Sequence, residues 1–328
     1  MTQNTDNVQV EQQVAQQTSP AQASVPRRTG TPTHKHFILA LVVLLVLPLA
    51  IDRVGGRILR SLMESSQFRY SRLYRGGMIN DALFFGDSRG AASFFVPSLN
   101  DRLKTRSMNL SLNGLPTIAQ EVLLMDYLDH NQAPKMVVIE ITSLCQPVGP
   151  AAEFLRPYFS SSERVAKLCQ NTDPTFAVAM QVSHLLPFNN ETLMRAMYYR
   201  NRSDQGWISH SKVSQDILDF TNRMPEGDAF TIVPANLEAL VRMQDEMSSR
   251  GIQIRFVIGP YLPAMRQRMR DMDRFRMAVE KALGDTVWDF SLALDDLAMF
   301  ADRVHTNELG ADKLTDVMIQ SGMFQDPR

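Results

Sequence analysis

Cysteine is nearly absent from this chain, which has only Cys145 and Cys169 among 328 residues. Two cysteines make neither a disulfide framework nor a cysteine-built zinc site; one bridge or two unpaired thiols remain open. A surplus of charge is missing as well. Thirty-four lysines and arginines stand against 35 aspartates and glutamates, a formal net charge of −1. No bulk basic field exists to hold nucleic acid, so partners are expected to be neutral or locally recognised. No internal repeat is visible. The length allows one large or two modest domains, and 44% hydrophobic residues are enough for a real core.

Large apolar residues are scarce in residues 1–36, which are rich in Gln, Thr, Ser, Ala and Pro. Such a segment buries too little surface to offset the entropy of ordering and is expected to be a disordered tail. The next stretch reverses the composition. From Phe37 to Ile51 the run FILALVVLLVLPLAI contains no charge. These 15 residues fall short of the roughly 20 that cross a hydrocarbon core as a helix, and continuation through Arg53 and Val54 closes the gap. The short run also suits a cleaved signal peptide, but the preceding segment is long and Pro48-Leu49-Ala50 is a poor cleavage site. An uncleaved anchor over 37–54 is therefore favoured. Arg27, Arg28 and Lys35 before it place the tail in the cytoplasm and the rest of the chain outside, which in a bacterium means the periplasm or outer face of the inner membrane. Residues 55–80 read as a juxtamembrane linker.

From residue 81 onward, short apolar runs alternate with longer amphipathic stretches, a pattern of strands joined by helices in a mainly parallel sheet. Strands are expected at Ala82 to Phe85, Ser107 to Leu110, Met136 to Ile141, Ile252 to Ile258 and Val287 to Phe290. Helices are expected at Thr117 to Asp129, Asn236 to Arg250, Pro263 to Leu283 and Glu308 to Gln320. Between about 146 and 234 the alternation lapses. Apolar residues there recur at helical spacing in Phe176 to Leu186 and Leu193 to Tyr199, so a helical insertion lies between the third and fourth strands. It would cap a site at the carboxyl ends of the strands, pack as an appendage or dock a partner.

The polar residues that point to chemistry lie at the two ends of this domain. Ser88 sits in Phe84-Phe85-Gly86-Asp87-Ser88-Arg89, where a strand pattern breaks at a glycine and a helical pattern resumes. More than two hundred residues later, Asp302-Arg303-Val304-His305 precedes the last expected helix. A hydroxyl, an imidazole and a carboxylate are the parts of an activated nucleophile. His305 would take the hydroxyl proton and return it to the leaving group, and Asp302 would fix its tautomer. These parts need no cofactor and no metal. The other histidines, His34, His36, His130, His184 and His210, have no comparable setting.

The Gly-Asp-Ser turn and the Asp-x-x-His ending resemble the first and last motif blocks of the SGNH/GDSL hydrolase superfamily, a likeness spanning roughly Leu83 to Met318 and interrupted by the insertion. The continuation His305-Thr306-Asn307-Glu308-Leu309-Gly310 also looks like the closing block. The resemblance implies a flavodoxin-like three-layer sandwich around a five-stranded sheet. It also implies an oxyanion hole from the backbone N–H of Ser88 and a glycine of the second block, which maps to Gly114 in Asn109-Leu110-Ser111-Leu112-Asn113-Gly114; a simple turn glycine is the alternative there. The third block departs from the pattern. Where esterase members carry an asparagine, this chain runs Glu140-Ile141-Thr142-Ser143-Leu144, so Thr142 or Ser143 would donate instead, or the hole has fewer donors.

That departure, the single anchor and the insertion together look like the membrane-anchored branch of the superfamily, which includes alginate O-acetyltransferase and lipoteichoic acid D-alanylation proteins. The resemblance implies acyl transfer through an acyl-serine to a cell-surface or secreted polysaccharide, beside a multi-spanning membrane-bound O-acyltransferase. Two other expectations stand beside it: an esterase or deacetylase with water as acceptor, and a non-catalytic polysaccharide-assembly or binding factor. Arg89, next to the nucleophile, is a candidate to bind a carboxylate or phosphate bidentately, structural pairing being the alternative. Asp87 reads as a turn-holding carboxylate. Tyr261, after the fourth strand, is a candidate to stack on a sugar or else an ordinary strand-end aromatic.

Overall fold

The computed structural model describes residues 34–325, so the tail expected over 1–36 lies almost wholly outside the described residues. The chain divides into two units, Met1–Pro48 and Leu49–Arg328. Helix α1, His34–Ser65, begins in the first. Its 32 residues would extend about 48 Å at the usual helical rise. Its apolar side chains from Phe37 to Leu47 are exposed, and it is long and apolar enough to cross a membrane.

In the second unit the alternation seen in the sequence becomes β1 (Ala82–Phe85), α3 (Ser88–Ser93), α4 (Val96–Leu103), β2 (Ser107–Asn109), α5 (Thr117–His130) and β3 (Met136–Glu140), preceded by α2 (Arg69–Arg75). The insertion follows as α6 (Glu163–Thr172), α7 (Pro174–Val182), α8 (Glu191–Tyr198) and α9 (Gln215–Arg223). Then come α10 (Pro234–Ser249), β4 (Gln253–Ile258), α11 (Pro263–Arg266), α12 (Met272–Leu283), β5 (Val287–Asp289) and α13 (Glu308–Gln320). The five strands form one parallel sheet in the order β2-β1-β3-β4-β5, the flavodoxin-like arrangement.

Because strand side chains alternate in direction, each central strand serves two cores. Leu83, Phe85, Val137 and Ile139 join one apolar cluster. Ala82, Phe84, Met136 and Val138 join the other with Phe94, Leu99, Leu314 and Met318, which puts α3, α4 and α13 on that face. Strands buried on both faces read as unbroken apolar runs; β1 does, and β3 does up to its buried final residue, Glu140.

Residues 55–80, expected as a linker, instead carry the end of α1 and all of α2. Phe68, Tyr70 and Leu73 of this stretch are buried in the first cluster. At the head of this region Asp52 accepts hydrogen bonds from the Ser183 hydroxyl and from the backbone N–H groups of His184 and Leu185, at 2.5, 2.8 and 3.1 Å. Leu155, Tyr158, Val165, Leu168, Met180 and Phe188 of the insertion enter the same cluster, so the insertion is part of the main core and no detachable appendage.

The single helix expected over Pro263 to Leu283 is broken between Arg266 and Met272. The interruption is bonded to the end of the insertion. The Asp271 carboxylate accepts from the N–H groups of Ala229 and Phe230 at 2.8 and 2.9 Å, and Gly227 exchanges backbone hydrogen bonds with Arg268 and Arg270.

Candidate active site

The order of the sheet reverses between β1 and β3, and in open α/β sheets ligands bind outside the strand carboxyl ends at such a point. Ser88 follows β1 there as the first residue of α3. Asp87 caps that helix and holds the turn, its Oδ1 accepting from the Arg89 N–H at 2.9 Å. The N–H of Ser88, at the first helical position, lies outside the helix's own hydrogen-bond ladder.

His305 reaches this turn from the other end of the domain. Its Nε2 is 2.8 Å from Ser88 Oγ, and its Nδ1 is 2.8 Å from Asp302 Oδ2. The short loop is fixed from several sides. Asp302 Oδ1 accepts from the N–H groups of Val304 and His305 at 2.8 and 2.9 Å. Thr306 donates to the Ala92 carbonyl on α3 at 2.7 Å, and Asn307 caps α13 through Gly310 N–H at 3.1 Å. Gly310 is required by close approach, since a Cβ there would lie 2.1 Å from the Met299 carbonyl oxygen. Burial pushes the Asp302 carboxyl up, but the hydrogen bonds from His305 and Val304 outweigh it and hold it below its ordinary value. It is therefore ionised at neutral pH and fixes Nδ1–H toward itself, which leaves Nε2 to accept from the serine.

Arg89 does not face the crevice. Its guanidinium donates to the carbonyls of Val304 and Gly259 at 2.7 and 2.6 Å, pairs with Glu140 at 3.4 Å and lies 3.5 Å over the centre of the Tyr261 ring. Arg89, Glu140 and Tyr261 are 6, 0 and 3% exposed. Neither Arg89 nor Tyr261 is therefore open to a substrate. Together with Glu140 they tie the loop before His305 to the ends of β3 and β4. Burial pushes the Glu140 carboxyl up while Arg89 pulls it back, and burial also raises the Tyr261 hydroxyl.

The remaining expected donors divide. Gly114 has φ +70°, a left-handed conformation that favours glycine, in a half-buried turn beside exposed Asn113. Thr142 gives its hydroxyl proton to Glu140 at 2.6 Å. The Ser143 hydroxyl is buried between the Glu140 carbonyl and Thr117. Both hydroxyls serve the end of β3 and neither points a proton to the crevice. Sequence reasoning passed over Gln146, whose Nε2 donates to Asp87 Oδ2 at 2.7 Å; this places an amide from the segment after β3 beside the residue preceding Ser88. Its only sequence signal was an amide type a few residues beyond the expected asparagine.

Cys145 and Cys169 are free thiols. Burial pushes them up to about 12 and about 11, far from the thiolate needed in a nucleophile. Among the described residues no group of three or more His, Cys, Asp and Glu is placed to hold a metal ion.

No protein-family model and no curated protein matches the chain. Among solved structures, a Streptococcus pneumonia protein described as a "putative platelet activating factor" aligns with 87% of this chain and 98% of its own length, at 12% identity and a TM-score of 0.38.

Proposed function

We propose that this chain is a membrane-anchored serine acyltransferase of the SGNH type, which O-acetylates a cell-surface or secreted polysaccharide outside the cytoplasm. The observation that carries the reading is the continuous hydrogen-bonded line Ser88–His305–Asp302, with 2.8 Å at each step. In the reaction, Ser88 Oγ attacks the acyl carbonyl while its proton passes to His305 Nε2. The tetrahedral intermediate collapses as that proton goes to the leaving oxygen. An acceptor hydroxyl then gives its proton to His305, attacks the acyl-serine and restores Ser88. Asp302 orients the imidazole and stabilises its charged form without taking the proton.

The oxyanion would be met by the N–H groups of Ser88 and Gly114. Gln146 stands in for the missing third-block asparagine: one Nε2–H is held by Asp87 and the amide carries a second. The anchor reading rests on α1, and the outward orientation on Arg27, Arg28 and Lys35 before it. A polysaccharide acceptor and a multi-spanning acyl-exporting partner belong to the same reading and follow from the motif resemblance.

Hydrolysis is the second reading, favoured by the half-buried state of Ser88, which leaves water a route to the acyl-serine. The two share the first half-reaction. Full-length protein in detergent, treated with a chromogenic acetyl ester, is expected to gain one acetyl group on the Ser88 peptide by mass spectrometry. Added oligosaccharide should divert that acetyl from water to sugar. Unchanged ester turnover by a Ser88→Ala variant would end the acyl-serine proposal, and acetate as the sole product with every acceptor would leave hydrolysis.

A further inference from the structure

A strap of the insertion, residues 204–213, runs along the rim of the candidate active site. It is tied down at its start, where Asp204, 2% exposed, pairs with Arg69 Nε at 2.6 Å and Arg69 also donates to the Ser111 carbonyl. The Gln205 amide brackets Asn109 at the end of β2, accepting from its N–H at 2.7 Å and donating to its carbonyl at 3.2 Å. At the far end, Ser209 O accepts from Glu308 N–H at 2.9 Å, Ser211 O accepts from Asn307 Nδ2 at 3.0 Å and Val213 N–H donates to Phe300 O at 2.8 Å. The strap thus spans from the strand that leads into the Gly114 turn to the residues directly after His305.

In the middle of this strap Trp207 is 53% exposed. A tryptophan left in solvent on a segment fixed at both ends is a poor way to bury apolar area, since such a ring is normally drawn into a core or an interface. It lines a pocket of about 120 Å³ with Ala91, Ser111, Asn113, Arg195 and Tyr199 among its neighbours. Two of these place the pocket. Ala91 lies three residues after Ser88 on α3 and so shares its face of the helix. Asn113 directly precedes Gly114. The walls are polar where the floor is not. The Asn113 side chain is exposed, and Arg195, paired with Glu191, lines the rim; behind them the buried Ser111 hydroxyl faces Gly90 of α3 and has no hydrogen-bond partner among the described residues.

We infer that this pocket is the acceptor subsite, with Trp207 as the platform on which one pyranose ring of a polysaccharide stacks. The C–H face of a sugar offers apolar area to a flat ring, and its rim of hydroxyls meets the Asn113 amide and the Arg195 guanidinium beside it. The pocket touches α3 at Ala91, one helical turn from Ser88, and is not lined by Ser88 or His305, so in this reading a hydroxyl of the next residue along the chain is the one delivered to the acyl-serine. The use of the subsite rests on the acyl-transfer reading above; the binding itself does not.

The test separates the two. In full-length protein carrying Ser88→Ala to stop chemistry and Trp288→Phe to leave Trp207 as the sole tryptophan, cellohexaose and hexagalacturonate are titrated while emission is followed. A saturable change with one or both sugars is expected; a response to the acidic sugar alone assigns Arg195 a carboxylate. In protein with Ser88 intact, Trp207→Ala is expected to raise the KM for the responding oligosaccharide about tenfold with kcat nearly unchanged, and Trp207→Phe to recover most of the loss. Emission that ignores both sugars overturns the subsite, as does a Trp207→Ala effect on kcat with KM unmoved. Saturable emission alongside a Ser88→Ala variant that still turns over ester would retain the subsite and discard the acyl-serine, whereas acetylated Ser88 with silent Trp207 emission would do the reverse.

Discussion

Ser88 and Arg89 are neighbours in the chain and opposites in the fold. Ser88 is half-buried at the mouth of the crevice within 2.8 Å of His305, while Arg89 turns inward, buried against Glu140 and Tyr261. Both are polar residues at the start of the same short helix, and both are tied to the loop that carries His305. One side chain touches the imidazole and the other holds the Val304 carbonyl just before it. The difference shows that residue type and proximity in sequence suggest chemistry, but burial decides whether a side chain is open to a ligand or holds the groups around it.

The widest contrast between them is expected on substitution. Ser88→Ala should lower acetyl-ester turnover by about 10⁴-fold or more, judged by the cost of removing nucleophiles elsewhere. Its thermal melting should hardly change, because a small, partly solvated hydroxyl supports little packing. Arg89→Met should do the reverse in kind. It strands the fully buried Glu140 carboxylate, and breaking one side of a buried pair costs about 3–5 kcal/mol, readable in denaturant unfolding. Adding Glu140→Gln to Arg89→Met should return part of that stability. If Arg89→Met melts like wild type and weakens only acceptor binding, the inward assignment of Arg89 is wrong.

How far each half of this contrast was legible in the sequence follows from the range of the interactions involved. The five strands lie where the alternating pattern placed them, most plainly β1 and β3, because central strands buried on both faces leave a local mark. Ser88, Asp302 and His305 were found through the turn and loop chemistry around them, and they meet in space. The inward course of Arg89 left no mark. Its partners lie 51, 170 and 215 residues away at Glu140, Gly259 and Val304, and no local pattern reports such separations. The same holds for the break before α12, caused by Asp271 bonding to residues some 40 positions earlier, and for Trp207, which single-sequence periodicity cannot separate from a core aromatic.

A smaller effect sharpens the boundary between reacting and holding groups at Gln146. Thr142 and Ser143 are committed to the end of β3, which leaves the Gln146 amide, bonded to Asp87, as the proposed third donor. Loss of one oxyanion donor costs about 10²–10³-fold in kcat in a well-studied protease. Gln146→Ala is expected to reach the lower end of that range with KM little changed, and Gln146→Asn to fall short of rescue because the shorter chain cannot span to Asp87. A Gln146→Ala variant that loses stability but keeps kcat would move Gln146 to the holding class, as a residue that serves Asp87 alone.

The mildest test uses pH and acts on Asp302, which belongs to both classes because it holds the loop and orients the imidazole. Its folded-state value lies below the ordinary carboxylate value, the hydrogen bonds from His305 and Val304 having overcome burial. The folded state therefore binds the proton less readily than the unfolded chain. The stability that Asp302 contributes is fully present above the unfolded value of about 3.9 and is lost as pH falls through the lower folded value. Asp302→Asn removes this titration. The difference in denaturant midpoint between wild type and variant should accordingly shrink as pH falls below about 4, where Asp302 takes up its proton. A gap that did not shrink below about pH 4 would mean that burial controls Asp302 as it controls Glu140, and would place it with the holding residues beneath the site.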